Sequence, residues 1–261
     1  MTTPPKSFSR LSRPLHALTE QARLFLLALS FLTRLTTGKA ATAAAMSASV
    51  PYYPLVGAAI GLALILPFYS GMFAAYPWVQ AWLYVLLSAW LTRALHLDGL
   101  ADLLDAAGSG KRGEDFHAVL KDSRMGAFGA VGLVMALAGH IILAGACFSA
   151  HRFAPLFFAP LFGRCLPIVL AGIAPINPKA GLGALLAAAP QARCLLFAFS
   201  AAFIGGWLCL GLVSTALCVL FSIPLLFPLA SLARREGGFN GDYLGCAIVG
   251  GELIALLAAI V

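Results

Sequence analysis

His96-Leu97-Asp98-Gly99-Leu100-Ala101-Asp102-Leu103-Leu104-Asp105 sets three carboxylates at i, i+4 and i+7. That spacing puts all three on one face of a helix. The surrounding chain is 61% hydrophobic and only 10% charged, and six of its ten acidic residues (Asp98, Asp102, Asp105, Glu114, Asp115, Asp122) lie between positions 98 and 122. An ionised carboxylate among leucines is costly unless something compensates it. The stretch therefore predicts a cation and phosphate site at the edge of a membrane.

Outward from it, a mean hydropathy of +0.93 over 261 residues exceeds what a soluble core absorbs. The expected fold class is all-α, a polytopic integral membrane helix bundle. Runs of about 20 apolar residues fall at 53–75, 78–97, 126–150, 153–174 and 243–261, with two more in 194–233, which gives seven spans. Pro224 and Pro228 interrupt the sixth. Residues 1–39 read as a basic leader, with an amphipathic helix at 21–35, and residues 40–261 as one membrane-embedded domain. The apolar run in the leader carries Arg34 and lacks a small-residue cleavage site after it, which disfavours a signal peptide.

Of the net charge of +7, the leader supplies +5 through Lys6, Arg10, Arg13, Arg23, Arg34 and Lys39 against Glu20. Such a segment suits anionic lipid, not nucleic acid. With it on the cytoplasmic side, the loops after the second, fourth and sixth spans all return there. The first of these carries Lys111, Arg112, Lys121 and Arg124. Every polar loop able to do chemistry then shares one face. Six cysteines lie scattered in apolar segments without a CxxC pair, and they read as small buried hydrophobes.

Hard carboxylate oxygens beside Lys121-Asp122-Ser123-Arg124-Met125-Gly126 suit magnesium and a phosphate. Gly126 and Gly129 open a span, where free N–H groups favour an anion. Glu114 and Asp115, next to Lys111 and Arg112, read as a solvated loop. Asp242 is either a helix N-cap or a ligand. His96 is either a substrate contact or base, or a residue facing away from Asp98. Arg164 and Glu252 fall mid-span, where charges pair or face a cavity, and Arg164 requires an acidic partner that spacing does not choose. His140 reads as a hydrogen-bonded core residue.

These motifs together resemble the cobalamin synthase family, the adenosylcobinamide-GDP ribazoletransferases. The resemblance runs through Ser30-Phe31-Leu32-Thr33-Arg34-Leu35, Tyr53-Pro54-Leu55-Val56-Gly57, His96 to Asp105, Lys121 to Gly129, Gly163-Arg164, Ala180-Gly181-Leu182-Gly183 and Gly241-Asp242-Tyr243-Leu244-Gly245. It implies a magnesium-dependent inner-membrane transferase that joins adenosylcobinamide-GDP to alpha-ribazole or its 5'-phosphate and releases GMP. On that reading Asp98, Asp102 and Asp105 are the catalytic and metal-binding residues. His96, Lys121, Asp122, Arg124, Arg164 and Asp242 contact substrate, with Arg93 a further candidate for the diphosphate. Membrane lipid is an expected partner, and a homo-oligomer is compatible with the sequence. Two rivals use similar residues. A CDP-alcohol phosphotransferase shares Asp98-Gly99-Leu100-Ala101 but needs a different spacing of the later aspartates. A secondary transporter needs carboxylates near the midplane and matched repeats, and no repeat is evident.

Overall fold

The computed structural model describes residues 8–36, 41–177 and 181–261. Residues 1–7 and 37–39 of the leader, residue 40 and residues 178–180, with Ala180 of the Ala180-Gly181-Leu182-Gly183 motif, lie outside them. Helix α1 covers Phe8–Leu32 and α2 Ala43–Ser49, which passes through the tight turn Val50–Tyr52 into α3, Tyr53–Tyr69. Then follow α4 (Pro77–Leu91), α5 (Leu95–Gly108), α6 (Glu114–Leu120), α7 (Ala127–Ser149) and α8 (Phe153–Ile173). The chain ends with α9 (Gly181–Ala187), α10 (Gln191–Leu210), α11 (Leu212–Arg235) and α12 (Gly241–Ile260). The all-helical class expected from composition holds. Among the described residues six helices, Ala43–Tyr69 counted as one, are long and apolar enough to cross a membrane.

The seventh expected span, 78–97, is not one helix. Helix α4 has 15 residues, about 22 Å at 1.5 Å per residue and short of a hydrocarbon core of roughly 30 Å. It stops because Arg93 and Ala94 adopt positive φ values of 58° and 54°, a left-handed geometry that a side chain disfavours. Arg93 Nη2 donates to Ser30 O, Phe31 O and Thr33 O at 3.2, 3.0 and 3.2 Å. The last carbonyls of α1 are thus satisfied by a basic side chain from the break. Helix α1 in turn buries Leu24, Ala28, Leu29 and Leu32, one stripe of an amphipathic helix.

At the centre stands α8, 72% buried along its most apolar window against 17% for α10, which lies at the periphery of the bundle. Glycines let backbones meet there without intervening side chains. A Cβ on Gly57 of α3 would sit 2.6 Å from Leu161 Cα, and one on Gly251 of α12 would sit 2.9 Å from Gly163 Cα. Five of the six cysteines are buried, Cys209 is half-buried, and all six are free.

The polar connections gather at one end. Ile176 pairs with Phe239, and Asn177 N donates to Phe239 O at 3.0 Å. Gly113 N donates to Glu236 Oε2 at 2.8 Å, and His117 Nε2 lies 2.9 Å from Glu236 O, which ties the α6 loop to the α11–α12 turn. Burial alone would raise the Glu236 carboxyl, but the Gly113 N–H and the Arg235 guanidinium hold it below its usual range. At the opposite end Arg152 Nη1 caps α12 by donating to Ala259 O at 2.6 Å.

Candidate active site

Helices α5 and α12 cross at two glycines. A Cβ on Gly99 would lie 2.9 Å from Asp242 Cα, and one on Gly245 would lie 2.8 Å from His96 O. Because neither helix carries a side chain at the crossing, Asp242 is drawn against the turn of α5 that holds Asp98. Asp98 and Asp242 line one cavity together. Asp98 is exposed at its mouth, and Asp102 and Asp242 are half-buried. Asp242 is not the cap of α12. Asn240 takes that place, its side chain accepting from Asp242 N at 3.2 Å and donating through Nδ2 to Asp242 Oδ2 at 2.8 Å. The Asp242 carboxylate is thereby oriented and its backbone N–H satisfied.

The electrostatics are one-signed. Burial, then the charges of Asp98, Asp242 and Asp105, push the Asp102 carboxyl from its ordinary 3.8 up to about 6. Asp105 is the exception among the three. Its two oxygens accept from Gly126 N at 2.7 Å and Gly129 N at 2.8 Å. An anion at the start of α7 is therefore supplied by Asp105 itself, each oxygen of which accepts one of these N–H groups. Its charge lies against the positive end of a helix. Gly129 has no room for a side chain, since a Cβ there would come within 2.7 Å of Ala101 O.

Two spaces meet beside the aspartates. A closed cavity of about 100 Å³ runs inward from Asp98 and Asp242 past Phe31, Tyr53, His96 and Pro167. An open cleft of about 720 Å³ lies between α1, α2 and the α4–α5 break, lined by Leu27, Ser30, Met46 and Arg93. Phe31 and Leu95 line both. Asp98 and Asp242 belong to the smaller of the two spaces.

Other expected contacts lie elsewhere. Lys121 and Arg124 are exposed. Arg124 Nη2 donates to Asp122 Oδ2 at 2.7 Å, and this guanidinium holds the Asp122 carboxyl down at about 2. That pair satisfies itself on the loop before α7. Arg93 already serves the end of α1. Arg164 is fully buried and pairs with Glu252, whose other oxygen lies 3.3 Å from His140 Nε2. Its partner is thus identified, and the guanidinium, expected from the resemblance to contact substrate, is enclosed in the bundle. His140 also approaches Ala136 O through Nδ1 at 2.9 Å, as a core histidine does. Sequence reasoning missed Tyr53 and Asn240, whose only signals were a tyrosine at a helix start and an Asx residue two positions before an aspartate.

Among the described residues no three of His, Cys, Asp and Glu converge closely enough to hold a metal ion by themselves. Magnesium does not require that. It usually takes one or two carboxylates and completes its octahedron with water and substrate phosphates. Asp98 and Asp102, joined by Asp242, are such a hard-oxygen set.

No solved structure matches the chain. The family model for cobalamin-5-phosphate synthase matches residues 24–260. An adenosylcobinamide-GDP ribazoletransferase of Nitratidesulfovibrio vulgaris is 43% identical over 93% of this chain and 97% of its own. Relatives with the same description are 35% identical in Syntrophobacter fumaroxidans, over 89% of this chain and 96% of theirs, and 33% identical in Brevibacillus brevis, over 90% and 97%. With a match that spans the α5 aspartates, the α7 glycines and Asp242 alike, the chain belongs to the cobalamin-5-phosphate synthase family.

Proposed function

We propose that the chain acts as an adenosylcobinamide-GDP ribazoletransferase, joining adenosylcobinamide-GDP to alpha-ribazole or alpha-ribazole 5'-phosphate with release of GMP. A ribose hydroxyl oxygen attacks the corrinoid-side phosphorus, the bond from that phosphorus to the bridging oxygen breaks, and GMP departs with that oxygen. The hydroxyl proton passes to a carboxylate of the cluster. The observation that carries this reading is the placement of Asp98 and Asp242 on one cavity, with Asp102 close enough to feel the charge of both.

Two of the three carboxylates of Asp98, Asp102 and Asp242 would hold magnesium, which when bound would neutralise charge on the diphosphate and make its phosphorus electrophilic. Asp242 is oriented for this by Asn240. Asp102, whose carboxyl is already pushed up to about 6, is the group best matched to accept a proton near neutral pH. Asp105 acts at one remove, by fixing the start of α7 against α5. Arg164 and Glu252 hold α8 against α12 and leave substrate to other groups. Lys121 and Arg124 lie within reach of diffusing phosphates at the exposed rim.

The enzyme sits in the cytoplasmic (inner) membrane with the aspartates facing the cytoplasm. Lys111, Arg112, Lys121, Arg124, Arg193, Arg234 and Arg235 belong to the end that carries the aspartates, against Arg152 at the other. GMP release by protein purified in detergent tests the activity, with magnesium and each nucleoside supplied or omitted in turn. Release that needs the corrinoid, a nucleoside and magnesium together is expected. Binding of corrinoid without any GMP would overturn the assignment.

A further inference from the structure

We propose that the furrow between α8, α10 and α11 seats one acyl chain of an anionic phospholipid from the cytoplasmic leaflet, with the lipid phosphate held by Arg234. The inference rests on the membrane placement proposed above and needs nothing of the transfer reaction. The furrow encloses about 440 Å³, within the roughly 300–1,000 Å³ of ligand sites. Its walls run from Phe162 to Ile173 on α8 and from Val219 to Arg234 on α11, and α10 contributes Ala198 and Ala202. The one hydroxyl in the lining, Ser222, is spent within its own helix, donating to Cys218 O at 2.7 Å. What fills the length of such a furrow has to be apolar. Phe199, Ile223 and Phe227 of its lining are exposed, so it opens outward from the bundle, where a membrane-spanning protein meets lipid.

Length and charge match half a bilayer. At about 1.5 Å per residue the walls cover about 16 Å of α8 and about 22 Å of α11, against about 15 Å for one leaflet's share of a hydrocarbon core of roughly 30 Å. The charge lies at the end where a headgroup belongs. Arg234 stands in the last turn of α11, and its Nη2 donates to the carbonyl of Ile173, the last residue of α8, at 2.5 Å. That bond fixes the guanidinium at the end of the furrow that Ile173 lines. Arg234 is exposed, and among the described residues no carboxylate forms an ion pair with it. Its neighbour Arg235 differs, being answered by Glu236 at 2.6 Å. A guanidinium offers phosphate oxygens a planar fork of donors, and basic pockets between spans on the cytoplasmic side suit anionic headgroups. An apolar slot one leaflet deep with an unanswered cation at its polar end has the shape of a lipid.

The test is native mass spectrometry of the full chain in detergent, stripped of lipid and titrated with dioleoylphosphatidylglycerol or dioleoylphosphatidylcholine. Wild-type protein is expected to bind one phosphatidylglycerol about fivefold more tightly than phosphatidylcholine. Arg234→Gln should weaken phosphatidylglycerol about tenfold and remove the preference, and Arg234→Lys should keep most of it. Ala202→Phe, which fills the furrow and leaves the charge, should weaken both lipids by at least about tenfold. Lys111→Gln loses the same charge on the loop before α6 and should bind as wild type does, and glycerol 1-phosphate, a headgroup without chains, should not compete. Equal affinities in wild type and Arg234→Gln, or an equal loss in Lys111→Gln, would overturn the proposal, and neither comparison depends on how Ala202→Phe folds. Lipid binding untouched in Ala202→Phe while its assembly mass changes would also overturn it, and would make the furrow a contact between copies of the chain. Protein that stayed in solution once detergent was removed would sink the membrane placement instead.

Discussion

Two acidic clusters lie on α12, and they are built on opposite principles. Deep in the bundle Glu252 is answered on both oxygens, by Arg164 and by His140. At the end of the helix Asp242 stands with Asp98 and Asp102, and the groups around Asp102 are all negative. The first cluster is closed, its guanidinium fully enclosed. The second opens on a cavity that Asp98 and Asp242 line. A buried charge that has found its partner in the chain needs nothing from outside, and removing one member strands the other. Carboxylates crowded without a counter-charge are a standing cost that only a cation or a cationic ligand relieves. On the proposed function, one cluster holds the fold and the other does the chemistry.

The sharpest way to break that division is to neutralise one acid in each cluster. Asp98→Asn and Asp242→Asn are each expected to lower GMP release by at least about a thousandfold, with an unchanged elution profile in detergent and no loss of Tm. Glu252→Gln is expected to do the reverse, losing about 3–5 kcal/mol of stability because the Arg164 guanidinium is left buried and unpaired. Thermal unfolding and turnover measured on the same preparations check this. If Glu252→Gln proved fully stable but inactive, the inner pair would belong to catalysis and the distinction would fall.

A smaller effect follows from the crossing that assembles the open cluster. Gly99→Ala and Gly245→Ala insert a methyl group within 2.9 Å and 2.8 Å of backbone atoms of the other helix. Neither neighbour is a flexible side chain, so the helices must part, at a cost of about 1–3 kcal/mol. A shift of about 1 Å at the carboxylates is expected to reduce turnover by roughly a hundredfold. Gly139→Ala is the control. Its added methyl meets only the end of the Leu253 side chain, at 3.1 Å, and both stability and turnover should stay near wild type. Equal losses in all three would mean that helix glycines matter here for packing in general and not for placing Asp242.

Much of this architecture is legible in the chain before it folds. Long apolar runs announce the membrane helices, and the i, i+4, i+7 spacing announces the acidic face of α5. What stays hidden is pairing across distance. Nothing local to Arg164 designates Glu252, 88 residues away. Asp105 and the glycines at the start of α7 are each visible as half of an anion site, but only the fold reveals that each is the other's partner. The break at Arg93 and Ala94 is invisible for a different reason: no glycine or proline marks it, and the left-handed turn is sustained by carbonyls of α1 that lie about 60 positions earlier. Local composition records helices well, but it is silent about strain held in place by tertiary contacts.

The subtlest prediction concerns Asp102 in metal-free protein. Its carboxyl is raised from 3.8 to about 6, by burial first and then by Asp98, Asp242 and Asp105. An acid that holds its proton more tightly when folded contributes stability at low pH, and that contribution is lost as pH rises from about 4 through about 6. Above that range the wild type carries the full cost of the ionised cluster, and Asp102→Asn does not. Asp102→Asn is therefore expected to match the wild type near pH 4 and to exceed it at pH 7 by on the order of 1 kcal/mol after solvent screening, a Tm difference of about 2–4 °C. Magnesium at pH 7 should narrow the gap, because an ion bound by the folded state stabilises the wild type through its own affinity. A difference in Tm that stayed flat from pH 4 to pH 7, and did not respond to magnesium, would show that the negative field around Asp102 is already answered within the chain, which would make this cluster resemble the one around Glu252.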